Sequence, residues 1–169
     1  AGDTRFDRVY EIAQQAKRLP EIERFAADAP VFIAGSTWPP DEELLVGLIE
    51  RYPDVKFIVA PHEIDPARIE KFCERISRPA LRYTQLTPQS DLAAAGVLFV
   101  DTIGILSSVY RYGRWGYIGG GFGAGIHNTL EAATFGLPLA FGPRYGKFRE
   151  ARDLVTLRGA ASIASAEEL

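Results

Sequence analysis

The stretch VFIAGSTWPPDEELLVGLIE, residues 31–50, carries the pattern that decides the fold. It opens with a continuous apolar run that includes β-branched residues, which is typical of a strand covered on both faces. Two prolines and three acidic residues follow, and apolar residues then recur three and four positions apart. Acids in the first turn and that spacing indicate a helix. The stretch therefore predicts one strand–turn–helix unit.

The same alternation recurs along the chain. Asp65-Pro66 marks another helix start, and residues 5–25 have helical periodicity that Pro20 interrupts. Strands are predicted at residues 31–35, 56–60, 81–85, 97–101, 115–119, 138–141 and 160–164. Alternating strands and helices predict the α/β class, with a mostly parallel sheet flanked by helices. Ligands of such sheets bind beyond the carboxyl ends of the strands.

Composition narrows the functional classes. The 169 residues suffice for one core, and 47% hydrophobic against 24% charged residues is globular composition. A net charge of −3 without a basic cluster argues against nucleic-acid binding. Cys73 is the single cysteine, which fits a reducing, cytoplasmic setting, and no apolar run reaches the length of a membrane span. The chain lacks methionine and ends like the opening of a helix, so we interpret it as an excised fragment.

Residues 119–131, GGGFGAGIHNTLE, form the strongest candidate site. Five glycines in seven positions leave a strand and lead into a helix, where close backbone amides and the helix N-terminus favour a phosphate. His127 offers an imidazole for a sugar hydroxyl or a phosphate. Asn128 and Glu131 have capping-box spacing. A loop before a well-capped helix explains the same residues, so both interpretations stay open.

Three further loops follow predicted strands. Ser36 and Thr37 offer two hydroxyls and free amides in the loop 35–40, and His62 ends the second strand beside a carboxylate. Thr102 and Gly104 follow Asp101 at the end of another strand. Each loop is equally compatible with an ordinary strand-to-helix turn. Walker-type, Cys/His metal, Gly-x-Ser-x-Gly and in-register Gly-x-Gly-x-x-Gly patterns are missing, which disfavours ATPases, zinc proteins, hydrolases and nicotinamide dehydrogenases.

Six ordered motifs resemble one family over nearly the whole chain. They are GDTRFDR at 2–8, AGSTW at 34–38, DTIG at 101–104 followed by Leu106 and Tyr110, GGG at 119–121, HNxxEA at 127–132, and FGxP at 135–138 leading to FGP at 141–143. They resemble the C-terminal domain of 3-deoxy-D-manno-octulosonic acid (Kdo) transferases, which have the GT-B fold of two Rossmann-like domains. His62-Glu63 and Thr129 depart from the family pattern, which often has Arg-His and proline there.

The resemblance implies a Rossmann-like three-layer domain, one half of a GT-B fold, that holds the donor CMP-Kdo. The parent enzyme would transfer Kdo to a lipid A precursor for the lipopolysaccharide inner core, at the cytoplasmic face of the inner membrane and without a metal. Residues 1–28 would be an interdomain segment and 29–169 the nucleotide-sugar domain. The catalytic base would lie in the N-terminal domain, so we assign no catalytic residue here and expect the isolated domain to be inactive.

The resemblance also implies which residues contact the donor. Glu131 would contact the ribose, and Asn128 would face the CMP moiety. The full set of expected donor-binding residues is Ser36, Thr37, His62, Thr102, Gly104, Gly120, Gly121, His127, Asn128 and Glu131, with Gly120 and Gly121 contributing backbone amides. Two alternatives stay open: a GT-B enzyme that uses a UDP-sugar, and a non-enzymatic doubly wound module that binds a partner or a small ligand.

Overall fold

The computed structural model describes residues 18–120, 138–141 and 160–162. Within them seven strands form one sheet, and every pairing between neighbours is parallel. The strands are β1 (Val31–Thr37), β2 (Lys56–Pro61), β3 (Ala80–Arg82), β4 (Val97–Phe99), β5 (Trp115–Ile118), β6 (Leu139–Phe141) and β7 (Ala160–Ser162). The helices are α1 (Pro20–Ala26), α2 (Pro39–Arg51), α3 (Pro66–Glu74) and α4 (Leu106–Val109), with 3-10 turns at Tyr83–Gln85 and Tyr110–Tyr112.

The strand order is β3-β4-β2-β1-β5-β6-β7. From β1 the chain adds β2, places β3 at the edge and inserts β4 between them, and it then crosses back so that β5 lies on the other side of β1. This reversal between β1 and β5 is the topological switch point, the place where doubly wound sheets generally bind ligands beyond the carboxyl ends of the strands. The order is that of a Rossmann-like sheet with β3 added at one edge.

Side chains alternate between the two faces of the sheet and build two cores. Val31 and Ile33 join the core that contains α1, whereas Phe32 and Ala34 join the core that contains α2 and α3. All four residues are buried. Because both faces are covered, the strands are apolar runs without polar alternation. The predicted α/β class and three-layer architecture are confirmed.

The predicted strands are found with shifted ends. The first strand continues two residues beyond residue 35, and the predicted strand 81–85 ends at Arg82 before a 3-10 turn. A contact from a distant part of the chain stabilises the turn. The carboxylate of Asp101 accepts hydrogen bonds from the backbone N–H of Thr84 at 2.9 Å and from its hydroxyl at 2.6 Å. The strand propensity of residues 83–85 was therefore overridden by a carboxylate from a neighbouring strand end. Pro20 begins helix α1, since proline suits a first helical position.

Two polar side chains hold helix α1 in place, Lys56 of strand β2 and Tyr112 of a 3-10 turn. Lys56 donates to the carbonyl oxygens of Phe25 at 2.5 Å, Leu92 at 3.1 Å and Ala93 at 2.9 Å. The Tyr112 hydroxyl accepts the N–H of Leu19 at 2.8 Å. The helix also buries Ile22 and Phe25 completely. The part of the predicted segment 1–28 that the structure describes thus packs with the sheet, while the division of the chain near residue 28 stays a prediction.

We expect Lys56→Met to lower the free energy of unfolding by about 1–3 kcal/mol, because three carbonyl oxygens lose a charged donor. Burial, and secondly the charge of Arg78, lower the pKa of Lys56, which offsets part of the gain from the carbonyls. Urea unfolding followed by circular dichroism measures the change. Lys71→Met is the control, since Lys71 is exposed. Equal stability of both variants would contradict a fastening role for Lys56.

Candidate functional site at the switch point

The carboxyl ends of β1 and β5 approach each other closely at two glycines. The N–H of Gly119 donates to the carbonyl oxygen of Gly35 at 2.9 Å. A Cβ atom at position 119 would overlap the backbone of Ser36, and one at position 35 would overlap the Tyr110 hydroxyl. Position 119 accepts only a residue without a side chain, whereas a side chain at position 35 would require Tyr110 to move. The glycines of the motifs at 34–38 and 119–121 are therefore explained first by backbone packing.

Asp41 lies at the centre of this edge and is buried, with 1% of its surface exposed. Its carboxylate accepts the N–H of Trp38 at 2.9 Å, the N–H of Gly120 at 2.9 Å and the hydroxyl of Tyr117 at 2.5 Å. It stands in the first turn of α2, where the helix dipole favours an acid. Burial, and then the neighbouring Asp41, raise the pKa of Tyr117 far above its usual range. The phenol therefore stays a proton donor to Asp41.

Ser36 and Thr37 belong to strand β1, which corrects their expected place in a loop. Ser36 is half-buried and has a φ of +53°, a left-handed conformation that costs free energy in a residue other than glycine. The Thr37 side chain is fully buried, and its Oγ1 has no hydrogen-bond partner among the described residues. A fully buried hydroxyl does not reach a ligand in this conformation. Ser36 lies at the strand end and its role in donor binding stays a prediction, whereas the burial of Thr37 does not favour direct contact by its hydroxyl.

His62 and Trp38 stack at the ends of β2 and β1. Their ring centroids are 4.5 Å apart with an interplanar angle of 24°. The backbone N–H of His62 also donates to the carbonyl oxygen of Thr37 at 2.9 Å. The histidine is exposed, whereas Trp38 is half-buried. The structure thus brings the expected donor residue His62 beside the β1 end, and its contact with a donor stays a prediction.

The loop after β4 provides the next predicted residues. Thr102 is half-buried and Gly104 is exposed with a φ of +92°, a conformation that glycine adopts without strain. Ile103 between them is 86% exposed. The neighbouring Asp101 is engaged with Thr84, as described above. Thr102 and Gly104 therefore stand at the expected sheet edge, and their role in donor binding stays a prediction.

The glycine-rich segment is described only at its beginning. Gly120 is buried with a φ of +97°, and its N–H is already bonded to Asp41. This corrects the expectation that the Gly120 amide is free for a donor. The predicted residues Gly121, His127, Asn128 and Glu131 lie outside the described residues, so their roles stay predictions.

Two arginines in the described part of the chain form ion pairs with glutamates of α2 and α3. Arg68 of α3 contacts Glu42 of α2 at 2.5 Å, and Arg82 lies 3.4 Å from Glu70. No group of three or more His, Cys, Asp or Glu side chains in the described ranges is arranged to hold a metal ion. None of the helices in those ranges has the length and apolar character needed to cross a membrane.

A surface pocket of about 400 Å³ lies away from the switch point, between α3 and the edge strand β3. Cys73 lines it together with Glu70 and Arg82. Burial raises the pKa of the Cys73 thiol, which disfavours the reactive thiolate. This pocket therefore lacks an activated nucleophile and is separate from the candidate site.

The sheet order and the glycine turn at its switch point define the class of this chain, a Rossmann-like α/β domain. The C-terminal CMP-Kdo binding domain of WaaA from Acinetobacter baumannii has the same fold, with a TM-score of 0.74 over 95% of this chain and 83% of that chain, at 22% sequence identity. A comparison with models of known protein families finds no match.

The curated relatives of this chain include Kdo transferases. The 3-deoxy-D-manno-octulosonic acid transferase of Rickettsia bellii is 29% identical over 160 residues, covering 90% of this chain and 38% of the relative. That of Aquifex aeolicus is 27% identical over 133 residues, covering 76% of this chain and 36% of the relative. A bifunctional glycosyltransferase/methyltransferase of Fusobacterium nucleatum is 26% identical over 117 residues, 68% of this chain and 18% of the relative. The resemblance to Kdo transferases is confirmed, and the chain spans at most 38% of these relatives' length.

Asp41 is the residue that the sequence did not assign to the site. Its place among three acids after two prolines indicated a helix start, which is correct. The available signal was its spacing of three residues from Trp38, the position from which an acid reaches back to the N-cap amide. Its bonds to Gly120 and Tyr117 join residues more than 70 positions apart, and no local pattern shows them.

We expect Gly119→Ala to lower the free energy of unfolding by about 2 kcal/mol or more, because the added methyl group meets the backbone of Ser36. Gly47→Ala is the matched control in helix α2, where the methyl group meets nothing within 4 Å. That control should raise stability by about 0.5–1 kcal/mol through helix propensity. Chemical unfolding of both variants measures the difference, and similar effects would contradict the close approach at Gly119.

Proposed function

We propose that this chain is the donor-binding domain of a Kdo transferase and that CMP-Kdo binds at the carboxyl edge of β1 and β5. The observation that carries the proposal is the coincidence of two independent features at one place. The strand order reverses between β1 and β5, which is where doubly wound domains bind ligands. Two motifs shared with Kdo transferases, AGSTW and GGG, end those same two strands.

The chemistry required of such a site is modest. In the transfer, an acceptor hydroxyl attacks the anomeric carbon of the sugar while the bond to the CMP phosphate oxygen breaks. Negative charge grows on the departing phosphate and positive charge on the sugar. Preorganised backbone amides and a helix N-terminus suit the phosphate. The described arginines Arg68 and Arg82 pair with glutamates, so the proposal assigns phosphate binding to the glycine-rich segment 119–131.

Within this proposal Ser36, His62, Thr102 and Gly104 surround the donor at the strand ends. Gly121, His127 and Asn128 contact its phosphate and nucleotide, and Glu131 binds the ribose. Gly120 contributes through its conformation, because its N–H is bonded to Asp41. Thr37 supports the β1 end from inside the core.

The proposal extends to a longer enzyme, because the relatives are longer than this chain. A preceding domain supplies the acceptor site and the catalytic base, and the acceptor is a lipid A precursor. Transfer proceeds without a metal, at the cytoplasmic face of the inner membrane. The activity of the relatives as Kdo transferases supports the identity of the sugar, and the acceptor, the location and the lack of a metal rest on the family resemblance.

A UDP-sugar enzyme is the second candidate, because the glycine-rich turn and the following acid suit any nucleotide sugar. A module that binds no nucleotide is the third. Titration of the labelled chain with CMP, UMP and AMP, followed through its backbone amides by NMR, separates the three. We expect CMP to bind more tightly than UMP and AMP, with shifts at Ser36 and in segment 119–131. A preference for UMP would favour the second candidate, and no binding of any nucleotide at millimolar concentration would favour the third.

We expect Glu131→Gln to weaken CMP binding about tenfold, since a hydrogen bond to a charged group contributes about 1.5–3 kcal/mol and 1.4 kcal/mol is a factor of ten. Glu74→Gln is the matched control, because Glu74 is an exposed residue at the end of α3. The same NMR titration measures both dissociation constants. An unchanged constant for Glu131→Gln would remove this residue from the proposed site.

A further inference from the structure

One buried carboxylate joins three separate segments at the switch point. Asp41 accepts hydrogen bonds from the start of its own helix at Trp38, from strand β5 at Tyr117, and from the turn after β5 at Gly120. The two backbone N–H groups meet the same oxygen, Oδ2, and the phenol meets Oδ1.

The turn at Gly120 depends on this contact because of where it stands. Gly119 packs directly on the backbone of Ser36, and Gly120 then adopts a φ of +97°. The glycine conformation is permissive, so the backbone by itself does not select one direction of exit from β5. The hydrogen bond from the buried Gly120 N–H to Asp41 supplies the missing restraint. All residues of the proposed phosphate-binding segment beyond 120 continue from this point.

We propose that Asp41 is a positioning residue for nucleotide binding: it sets the direction in which the glycine-rich segment leaves β5 and never touches the ligand. This inference rests on the proposed function, because it assigns to Asp41 a share in the affinity for the donor. In the free protein, Asp41 already holds the Gly120 amide before any ligand binds. The two statements are tested separately.

The experiment compares three variants of the 169-residue chain. Asp41→Ala removes all three contacts. Asp41→Asn keeps one oxygen for the two backbone N–H groups, and its amide group can donate to the Tyr117 hydroxyl. Tyr117→Phe removes only the phenol contact and leaves Gly120 bonded to Asp41. Each ¹⁵N-labelled variant is examined for hydrogen exchange of the Gly120 amide without ligand, and then titrated with CMP.

We expect Asp41→Ala to speed exchange at Gly120 at least about tenfold and to weaken CMP binding about tenfold. Asp41→Asn should recover most of both properties, and Tyr117→Phe should stay within about twofold of the unaltered chain in both. Thermal unfolding of each variant shows whether the fold persists. If Asp41→Ala fails to fold, the other two variants still test the inference: we expect both to keep slow exchange at Gly120 and CMP affinity. Lost affinity with slow exchange at Gly120 retained, in either variant, would overturn it.

CMP affinity unchanged in Asp41→Ala would overturn the inference while leaving the proposed function intact. Equal loss of affinity in Tyr117→Phe and Asp41→Ala would also overturn it, since Tyr117→Phe keeps the Gly120 contact. If the unaltered chain binds no CMP, the proposed function fails and the share of Asp41 in affinity fails with it. Slow exchange at Gly120 in that case would show that the link between Asp41 and the turn exists without a nucleotide.

Discussion

Strand β5 leaves the sheet beside β1 only because position 119 has no side chain. The backbone of Ser36 occupies the space in which a Cβ atom would lie, and the N–H of Gly119 bonds to Gly35 across the same gap. The side chain of Tyr110 packs against Gly35 and leaves no space there for a Cβ atom. The switch point is thus built from backbone in direct contact with backbone. Among the described candidate residues, Ser36 and Gly120 stand next to that contact.

Asp41 combines a local helix-capping contact with two long-range hydrogen bonds. An acid in the first turn of a helix ordinarily satisfies the helix's own amide groups. Here the same carboxylate also receives the Tyr117 phenol and the Gly120 amide, so the start of α2 is joined to the end of β5. Burial of this group is tolerated because three donors satisfy it. Among the described residues the Thr37 hydroxyl has no hydrogen-bond partner, and Ser36 is left-handed, so this edge gives up some stability.

The sequence predicted the fold well, because a parallel sheet covered on both faces leaves a strong local record. Apolar runs such as 56–60 and 97–101 and acid-rich helix starts identify their elements without reference to the rest of the chain. The strand at 81–85 shows the limit of this record. Its second half became a 3-10 turn because Asp101, in the loop after β4, accepts hydrogen bonds from Thr84. The strand order, with β5 placed beside β1, has no local signal either.

For the site, the sequence by itself determined which loops carry polar residues and glycines, and the resemblance to Kdo transferases, since these depend on residue types and spacing along the chain. Only the tertiary structure decided that Thr37 is buried, that the Gly120 amide is taken, and that Asp41 holds it. The physical reason is that burial and hydrogen-bond partners depend on which distant segments meet. Asp41 and Gly120 are 79 positions apart, and only the folding of β5 against β1 brings them within 2.9 Å.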